Sequence, residues 1–194
     1  WERNDEGKWQ KKIDNETVTL SVTLTTSNTP LFEATANYIA SSWEAVGVDV
    51  QVDKFEQADL VQGIIRPRDF QALLFGADVG RGVDLYPFWH SSQREDPGLN
   101  IAQYTNITAD KLLNDLRHNT EPAEKTKAAL DFAETIKLDT PAIFLFVPNF
   151  TYVIAKDITV SPFTKLGKPS ERFANVADWH ITSSDLWPIF RSTD

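Results

Sequence analysis

The chain has 194 residues, of which 41% are hydrophobic and 24% charged, with a net charge of −9 at pH 7 and a pI near 4.8. This composition excludes a disordered or collagen-like chain, and the negative charge, which no Lys/Arg cluster reverses, argues against nucleic acid as a partner. The absence of Cys excludes disulfides, Cys-ligated zinc and thiol nucleophiles. Because the sequence begins at Trp1 and contains no Met, we expect it to be a segment of a longer protein whose targeting sequence lies elsewhere.

The first part of the chain predicts a strand, a helix and a second strand. Residues 17–24 alternate apolar and polar side chains, and so do residues 48–52, which is typical of half-buried strands. Between them, Thr29 precedes Pro30 and Gly47 follows the last apolar repeat, as expected for the start and end of a helix.

A second helix and a third strand follow. Residues 57–65 have apolar side chains at helical spacing and end before Pro67. Residues 70–75 are almost uninterruptedly apolar and stop at Gly76, which predicts a strand buried on both faces in the middle of a parallel sheet. The alternation of strands and helices therefore predicts parallel pairing with right-handed crossovers.

The second half of the chain predicts two helices and two further strands. We expect one helix capped by Thr108 and another beginning near Pro122, each with an apolar face. Residues 142–147 predict a continuous apolar strand and residues 151–155 another. The remaining pattern predicts a long loop over 156–177 and an apolar tail containing Trp179, Leu186, Trp187, Ile189 and Phe190.

In open α/β sheets, ligands bind beyond the carboxyl ends of the parallel strands, where the connecting loops diverge. The Gly-rich segment after residues 70–75, the aromatic turn that follows it and the end of the first strand are therefore the places to expect a binding site. The candidate ligand-binding residues are Ser27, Asn28, Phe75, Gly76, Asp78, Gly80, Arg81, Asp84 and Trp89.

Each candidate also has a structural interpretation. Trp89 either stacks on a ligand or packs in the protein's own core. Asp78 and Asp84 either pair with a ligand cation or accept hydrogen bonds from nearby backbone N–H groups, as acids in Gly-rich turns usually do. Ser27 and Asn28 either contact the ligand or help to cap the helix that follows.

Catalytic and metal-binding motifs are missing from the sequence. His90, His118 and His180 do not have zinc-ligand spacing, and neither a nucleophile elbow nor a phosphate-binding loop occurs. Asp78 and Asp84 would suit a glycosidase only at a separation of about 5 to 9 Å. We therefore predict no catalytic residue, no metal and no cofactor. A carbohydrate-active or hydrolytic enzyme domain, and an interaction module without a small ligand, stay open as alternatives.

Several segments together resemble a known family. In chain order these are LTTSNTPLFEATANYIASSWEAVGVDV (24–50), DFQALLFG (69–76), YPFWHSS (86–92), NIAQYTNITADKLL (100–113) and DTPAIFL (139–145). Each is weak alone, but the ordered set covers nearly the whole chain. It resembles the C-terminal lobe of the family 5 extracellular solute-binding proteins, which are the peptide and oligopeptide receptors of ABC importers.

The resemblance implies an α/β fold that forms one lobe of a bilobed periplasmic-binding-protein-like fold (type II), with a central, mostly parallel mixed sheet flanked by helices. It implies three parts: a polar lead-in from the missing N-terminal lobe (1–16), the ligand-binding lobe (17–155), and a loop and tail that return toward the other lobe (156–194).

The resemblance also implies a function and a location. The function is capture of a peptide or similar small polar solute for ABC permease subunits, without catalysis. The location is extracytoplasmic, in the periplasm or as a cell-surface lipoprotein, with any membrane anchor outside this chain. The peptide-binding branch commonly has acidic and aromatic residues where this chain has Gln71, Ala77 and Gly80. The acidic anchor for a peptide amino terminus is therefore not transferred, and Arg81 is instead a candidate to bind a carboxylate or another anion.

Overall fold

The computed structural model describes residues 1–79, 84–161, 166 and 168–181. In chain order the strands and α-helices are β1 (Glu2–Arg3), β2 (Trp9–Ile13), β3 (Glu16–Thr19), β4 (Ser21–Ser27), α1 (Pro30–Ala45), β5 (Asp49–Phe55), α2 (Gln57–Asp59), β6 (Ala72–Leu73), α3 (Tyr86–Trp89), α4 (Ile107–His118), α5 (Pro122–Asp139), β7 (Ile158–Thr159) and β8 (His180–Ile181). A π-helical turn, Leu60–Ile65, extends α2. The chain divides into two compact units: Trp1–Asp78 with Asp84–Ala142, and Val79 with the described residues from Ile143 onward.

The first unit contains the predicted parallel sheet. Strand β4 lies between β5 and β6 and pairs in parallel with both, so the strand–helix–strand–helix–strand prediction is confirmed. Helix α1 begins at Pro30 after Thr29, and Gly47 follows its end with a φ of 93°. Its Ala36 is part of this sheet's core, against which Ile39 and Trp43 also pack, and Ala40 is buried, as the helical spacing predicts.

The alternating segment 17–24 forms two strands rather than one. Strand β3 pairs with β2 in an antiparallel sheet, while β4 enters the parallel sheet. Leu20 joins the two, because its N–H donates to the Trp9 carbonyl (2.7 Å) and its own carbonyl accepts from the Asp49 N–H (2.8 Å). Regular alternation predicted the strand conformation but did not indicate the change of partner.

Residues 1–13 are packed against the turn between α1 and β5. The Trp9 N–H donates to the Gly47 carbonyl (2.8 Å), and Trp9 Nε1 donates to the Val46 carbonyl (2.7 Å). A Cβ at Gly47 would lie 2.7 Å from the Gly7 carbonyl oxygen. Close backbone approach and a positive φ therefore both require glycine at this position.

The apolar run 70–75 differs from its prediction. Only Ala72–Leu73 form a strand, and among the described residues it borders β4 on one side of a three-stranded sheet. The position in the middle of the sheet is wrong, because β5 and β6 both pair with β4. Burial on both faces is also wrong, since Leu74 is 8% exposed but Phe75 is 41% exposed. The run packs one face against α1 and leaves the sheet after two paired residues.

A second core lies between α4 and α5. It consists of Tyr104, Ala109, Leu113, Phe132 and Ile136. Helix α4 is capped by Asn106 rather than by Thr108. The Asn106 side chain accepts from the backbone N–H groups of Thr108 (2.8 Å) and Ala109 (3.1 Å), so the earlier residue satisfies the free donors of the first turn.

Two of the predicted strands are wrong. Residues 142–147 and 151–155 are described, and neither stretch forms a strand. The apolar side chains of the first stretch are exposed, with values of 71% at Ile143 and 90% at Val147. The predicted loop 156–177 contains β7, which pairs with β8. The predicted tail residues Leu186, Trp187, Ile189 and Phe190 lie outside the described residues.

Candidate functional site

The carboxyl end of β4 brings two candidate residues to the end of the parallel sheet. Ser27 is buried, and its Oγ lies 3.1 Å from Thr29 Oγ1 at the start of α1. Asn28 donates from its backbone N–H to the Phe55 carbonyl (2.9 Å) and from its side chain to Glu56 (2.5 Å). The polar groups here connect the end of β4 to α1 and to the end of β5.

The chain leaving β6 reaches the same end of the sheet. The Leu74 N–H donates to the Thr25 carbonyl (2.9 Å), and the buried Thr26 hydroxyl donates to the Leu74 carbonyl (3.1 Å). The register pairs Thr25 with Leu73, and these two hydrogen bonds hold Leu74 beside the last residues of β4, with Phe75 and Gly76 next in the chain. Four predicted residues, Ser27, Asn28, Phe75 and Gly76, are therefore at one end of the sheet.

Gly76 follows this exit and lies close to α1. A Cβ at Gly76 would be 3.3 Å from Cζ of Phe32, which is tight contact, so a larger residue would require the ring to move. Phe75 and Asp78 are exposed. Gly80 and Arg81 lie outside the described residues, and their assignment to the site stays a prediction.

Asp84 is paired within the protein. Its Oδ1 accepts from the Tyr86 backbone N–H (3.2 Å), and its Oδ2 accepts from Arg117 of α4. The hydrogen bond from Arg117 is the main cause that lowers the pKa of the Asp84 carboxyl, so this side chain is a carboxylate at neutral pH. Its contacts match the structural interpretation of an acid in a turn.

Trp89 packs against the core between α4 and α5. Its ring lies edge-on to Tyr104, with centroids 6.3 Å apart and an interplanar angle of 80°. The adjacent loop is held by Asn100, which is fully buried and donates to the carbonyls of His90 (3.1 Å) and Tyr104 (2.9 Å). Asp84 and Trp89 thus belong to the helical part of the unit, whereas the other described candidates, except Asp78, cluster at the end of the sheet.

Sequence reasoning missed three residues that shape this region. Glu56 directly follows β5, so the rule that ligands bind at carboxyl ends would have found it. Phe32 is on the first turn of α1 and had no distinguishing signal. Arg117 lies 33 residues after Asp84, and nothing in its sequence context indicated the contact.

Within the described ranges, no group of three or more His, Cys, Asp or Glu residues is arranged to hold a metal ion. The same residues include no helix that is both long and apolar enough to cross a membrane.

The fold and the end of the parallel sheet define the class of protein: a lobe of the bilobed periplasmic binding proteins. Solved structures of that class match most of this chain. An oligopeptide-binding protein from Bacillus subtilis, AppA, in complex with a nonapeptide, has a TM-score of 0.71 at 25% identity and covers 89% of this chain and 33% of its own. NikZ from Campylobacter jejuni, in complex with Ni(L-His), has a TM-score of 0.67 at 22% identity and covers 92% of this chain and 36% of its own, which shows the fold alone.

The sequence comparison agrees with the structural one. The oligopeptide-binding protein AppA of Bacillus subtilis is 30% identical over 139 residues, which is 71% of this chain but 25% of that protein. No family model matches the sequence. The chain is homologous to part of this oligopeptide-binding protein, which confirms the resemblance to the family 5 solute-binding proteins found in its motifs. It spans about a quarter of the length of the curated relative that it matches.

Proposed function

We propose that this chain is the C-terminal lobe of the substrate-binding component of an ABC importer, which captures a peptide or a similar small polar solute between two lobes. The observation that supports this most is the convergence of Ser27, Asn28 and Gly76 at the carboxyl end of a parallel sheet, in a chain homologous to an oligopeptide-binding protein. The homologues are binding proteins, so the proposed mechanism has no catalytic step.

The chemistry at this end of the sheet suits an extended peptide. Residues 75–77 lie outside any strand and are exposed, and the Phe75 side chain offers an apolar contact surface. Main-chain hydrogen bonds supply affinity for an extended peptide, whereas side-chain pockets supply specificity. In the proposal, Arg81 binds a carboxylate of the solute by a charge-assisted pair.

The proposal extends to the limits of the lobe. Residues 1–16 enter from the N-terminal lobe, and residues 156–194 return toward it. The exposed apolar stretch 143–147 supports this, because such a surface is normally covered by protein, and about three quarters of the matched relative's length lies outside this chain. In the proposal, the part of the same protein that lies outside this chain packs against residues 143–147.

Function then depends on closure. The solute contacts both lobes only in the closed state, so binding shifts the population toward that state, which is recognised by the permease. The proposed location is extracytoplasmic, as for the homologous solute-binding proteins, either in the periplasm or as a surface lipoprotein.

Calorimetric titration of the full-length protein tests the proposal. The panel contains nonapeptides, pentapeptides, a nickel–histidine complex, a disaccharide and inorganic phosphate. We expect saturable binding of a peptide without its conversion, and Arg81→Ala should weaken an anionic peptide more than a neutral one. Chemical turnover of any compound would contradict the receptor assignment. Unchanged affinity in Arg81→Ala would remove that residue from the site.

One observation favours a second candidate, an interaction module without a small ligand. The apolar stretch 143–147 is exposed in this chain, and such a face is what that alternative predicts. Hydrogen exchange on the full-length protein separates the two. Slow exchange of amides 143–147 in the absence of other proteins supports a covered segment and the receptor. Fast exchange there, together with no binding in the titration panel, supports the interaction module.

A further inference from the structure

Glu56 is an acid at the end of the parallel sheet whose side chain does not serve its own helix. It directly follows β5 and occupies the N-cap position of α2, where the free N–H groups of the first turn favour an acidic side chain. The Glu56 side chain accepts no capping hydrogen bond from them. Its Oε1 instead accepts from the side-chain amide of Asn28, just after β4, at 2.5 Å.

The Glu56–Asn28 contact leaves hydrogen-bond acceptors unused. Within the described residues, Glu56 Oε2 and Asn28 Oδ1 accept no hydrogen bond, and Glu56 forms no ion pair. Lys54, two residues before Glu56, is paired with Glu33. Both Glu56 and Asn28 are exposed, so a solute can reach them. Two neighbouring acceptors, one of them on a charged group, suit a donor that carries positive charge.

The ends of β4 and β5 are joined without this side-chain contact. The two strands pair in parallel from Ser21 to Ser27, and the Asn28 backbone N–H donates to the Phe55 carbonyl at 2.9 Å. A polar contact between two exposed side chains adds little to global stability. The consequence of the contact is therefore the orientation of the Glu56 carboxylate, since the Asn28 amide holds one of its oxygens and leaves the other available.

We propose that Glu56, oriented by Asn28, is a specificity-determining residue that binds a positively charged side chain of the solute, a lysine ammonium or an arginine guanidinium. This inference rests on the proposed function, because it requires a solute at this end of the sheet. It adds a preferred solute chemistry to that function.

The strand order favours a cationic side chain over the amino terminus of a peptide. Strands β5 and β6 lie on opposite sides of β4, so their ends are about 10 Å apart at the usual spacing of neighbouring strands. A peptide whose main chain lies against residues 75–77, beyond β6, therefore reaches Glu56 through a long side chain. Lysine and arginine have such side chains with the charge at the tip.

The test measures the affinity of the full-length protein for pairs of nonapeptides, in competition with one fluorescein-labelled nonapeptide. The members of a pair differ only in lysine or glutamine at one position, and the position is moved along the peptide. The protein forms are the unaltered protein, Glu56→Gln and Glu44→Gln. Glu56→Gln keeps an oxygen for Asn28 and removes the charge. Glu44→Gln is the matched control, because it removes the same charge from an exposed residue at the other end of α1.

We expect the unaltered protein to prefer lysine to glutamine at one position of the nonapeptide. At that position Glu56→Gln should weaken the lysine peptide about three- to tenfold and the glutamine peptide by less than about twofold. Glu44→Gln should leave the ratio of the two affinities unchanged. Thermal unfolding should be nearly the same in all three forms, because both substituted residues are exposed.

Three results would overturn the inference while nonapeptides still bind. The first is the absence of a lysine preference that depends on Glu56. The second is an equal loss for both members of a pair in Glu56→Gln that persists when the peptide amino termini are acetylated, which would mean a structural role. The third is an equal loss that disappears on acetylation, which would assign the bound cation to the amino terminus. If the unaltered protein binds no nonapeptide, the proposed peptide ligand fails and this inference fails with it.

Discussion

Two apolar stretches of six residues look alike in the sequence and differ in the structure. Residues 70–75 and residues 142–147 both predict strands, and each is followed closely by a residue that interrupts regular structure, Gly76 or Pro148. The first stretch pairs with β4 and buries Leu74. The second forms no strand and has Phe146 and Val147 exposed at 57% and 90%. Hydrophobic composition alone does not decide which outcome occurs.

The difference lies in the partner strand. Residues 70–75 follow two strand–helix units whose central strand offers a parallel edge within the same unit. All but the first of residues 142–147 belong to a separate compact unit, and no strand of the described residues pairs with them. A strand needs a partner for its backbone groups as well as an apolar surface to cover.

The largest expected effect is a loss of unfolding free energy when a side chain of the buried stretch, but not one of the exposed stretch, is shortened. Leu74→Ala should lower the free energy of unfolding by about 2 to 4 kcal/mol, because it empties a buried site in the core beside α1. Val147→Ala should change it by less than about 0.5 kcal/mol, because that side chain is already in water. Urea unfolding of the 194-residue chain measures both.

Measuring the same two substitutions, Leu74→Ala and Val147→Ala, in the full-length protein tests whether the rest of the protein buries residues 142–147. If the rest of the protein covers residues 142–147, as proposed, the cost of Val147→Ala should rise while that of Leu74→Ala stays the same. Equal costs for Val147→Ala in both contexts would count against the proposed cover.

The sequence predicted the elements whose signals are local. Caps, periodicity and connection length predict the start of α1 at Pro30, its end before Gly47 and the parallel direction of β4, β5 and β6. The sequence did not predict that β4 is central, because strand order depends on contacts between distant segments. It failed at residues 142–147 for the same reason, since their pairing depends on a partner that periodicity does not reveal.

The residues of the candidate site also divide into those that local sequence signals predicted and those that depend on contacts between distant segments. The rule for carboxyl ends found Ser27, Asn28 and Gly76, because it depends only on where strands stop. It did not find Arg117, whose contact with Asp84 depends on the packing of α4 against the α3 region. Local sequence thus predicted the position of the candidate site, but it did not predict the tertiary contacts of the residues around it.

The next largest effect concerns the hydrogen bond from the Thr26 hydroxyl to the Leu74 carbonyl, just after the short strand β6. Thr26→Val should lower the free energy of unfolding by about 1 kcal/mol, because the Leu74 carbonyl loses its hydroxyl donor in a fully buried place. Val has the same shape, so cavity formation does not confuse the result. Thr23→Val is a control on the same strand, and an equal loss there would show that the Thr26 hydroxyl has no special role.

A smaller effect is expected at Gln71, just before β6. Its side-chain oxygen accepts from the Thr23 N–H at 2.8 Å and so continues the pairing of β4 beyond the two residues of β6. Gln71→Ala should cost about 0.5 kcal/mol, since the freed N–H is exposed to water. Gln71→Glu keeps the acceptor and should cost less. The reverse order in urea unfolding would contradict the pairing role.

The smallest effect is present near neutral pH and lost in acid, and it concerns Asp139, the last residue of α5. The Tyr104 hydroxyl donates to Asp139 at 2.5 Å and the Asn106 amide at 2.7 Å, and these bonds, that from Tyr104 foremost, lower the pKa of Asp139 below its ordinary 3.8. A lowered pKa in the folded state means that the stabilisation is complete above the ordinary value and is lost as pH falls through the folded one.

Asp139→Asn should therefore reduce stability near neutral pH and flatten its decline in acid, because the mutant has no proton to take up there. Urea unfolding at successive steps below pH 3.8 measures the slope, with Tyr104→Phe as the variant that removes the main donor. The unaltered chain should approach the behaviour of both variants as pH falls, since protonation of Asp139 removes the interaction that each variant already lacks. Parallel curves for the unaltered chain and Asp139→Asn would instead mean that this carboxylate does not help to stabilise the core between α4 and α5.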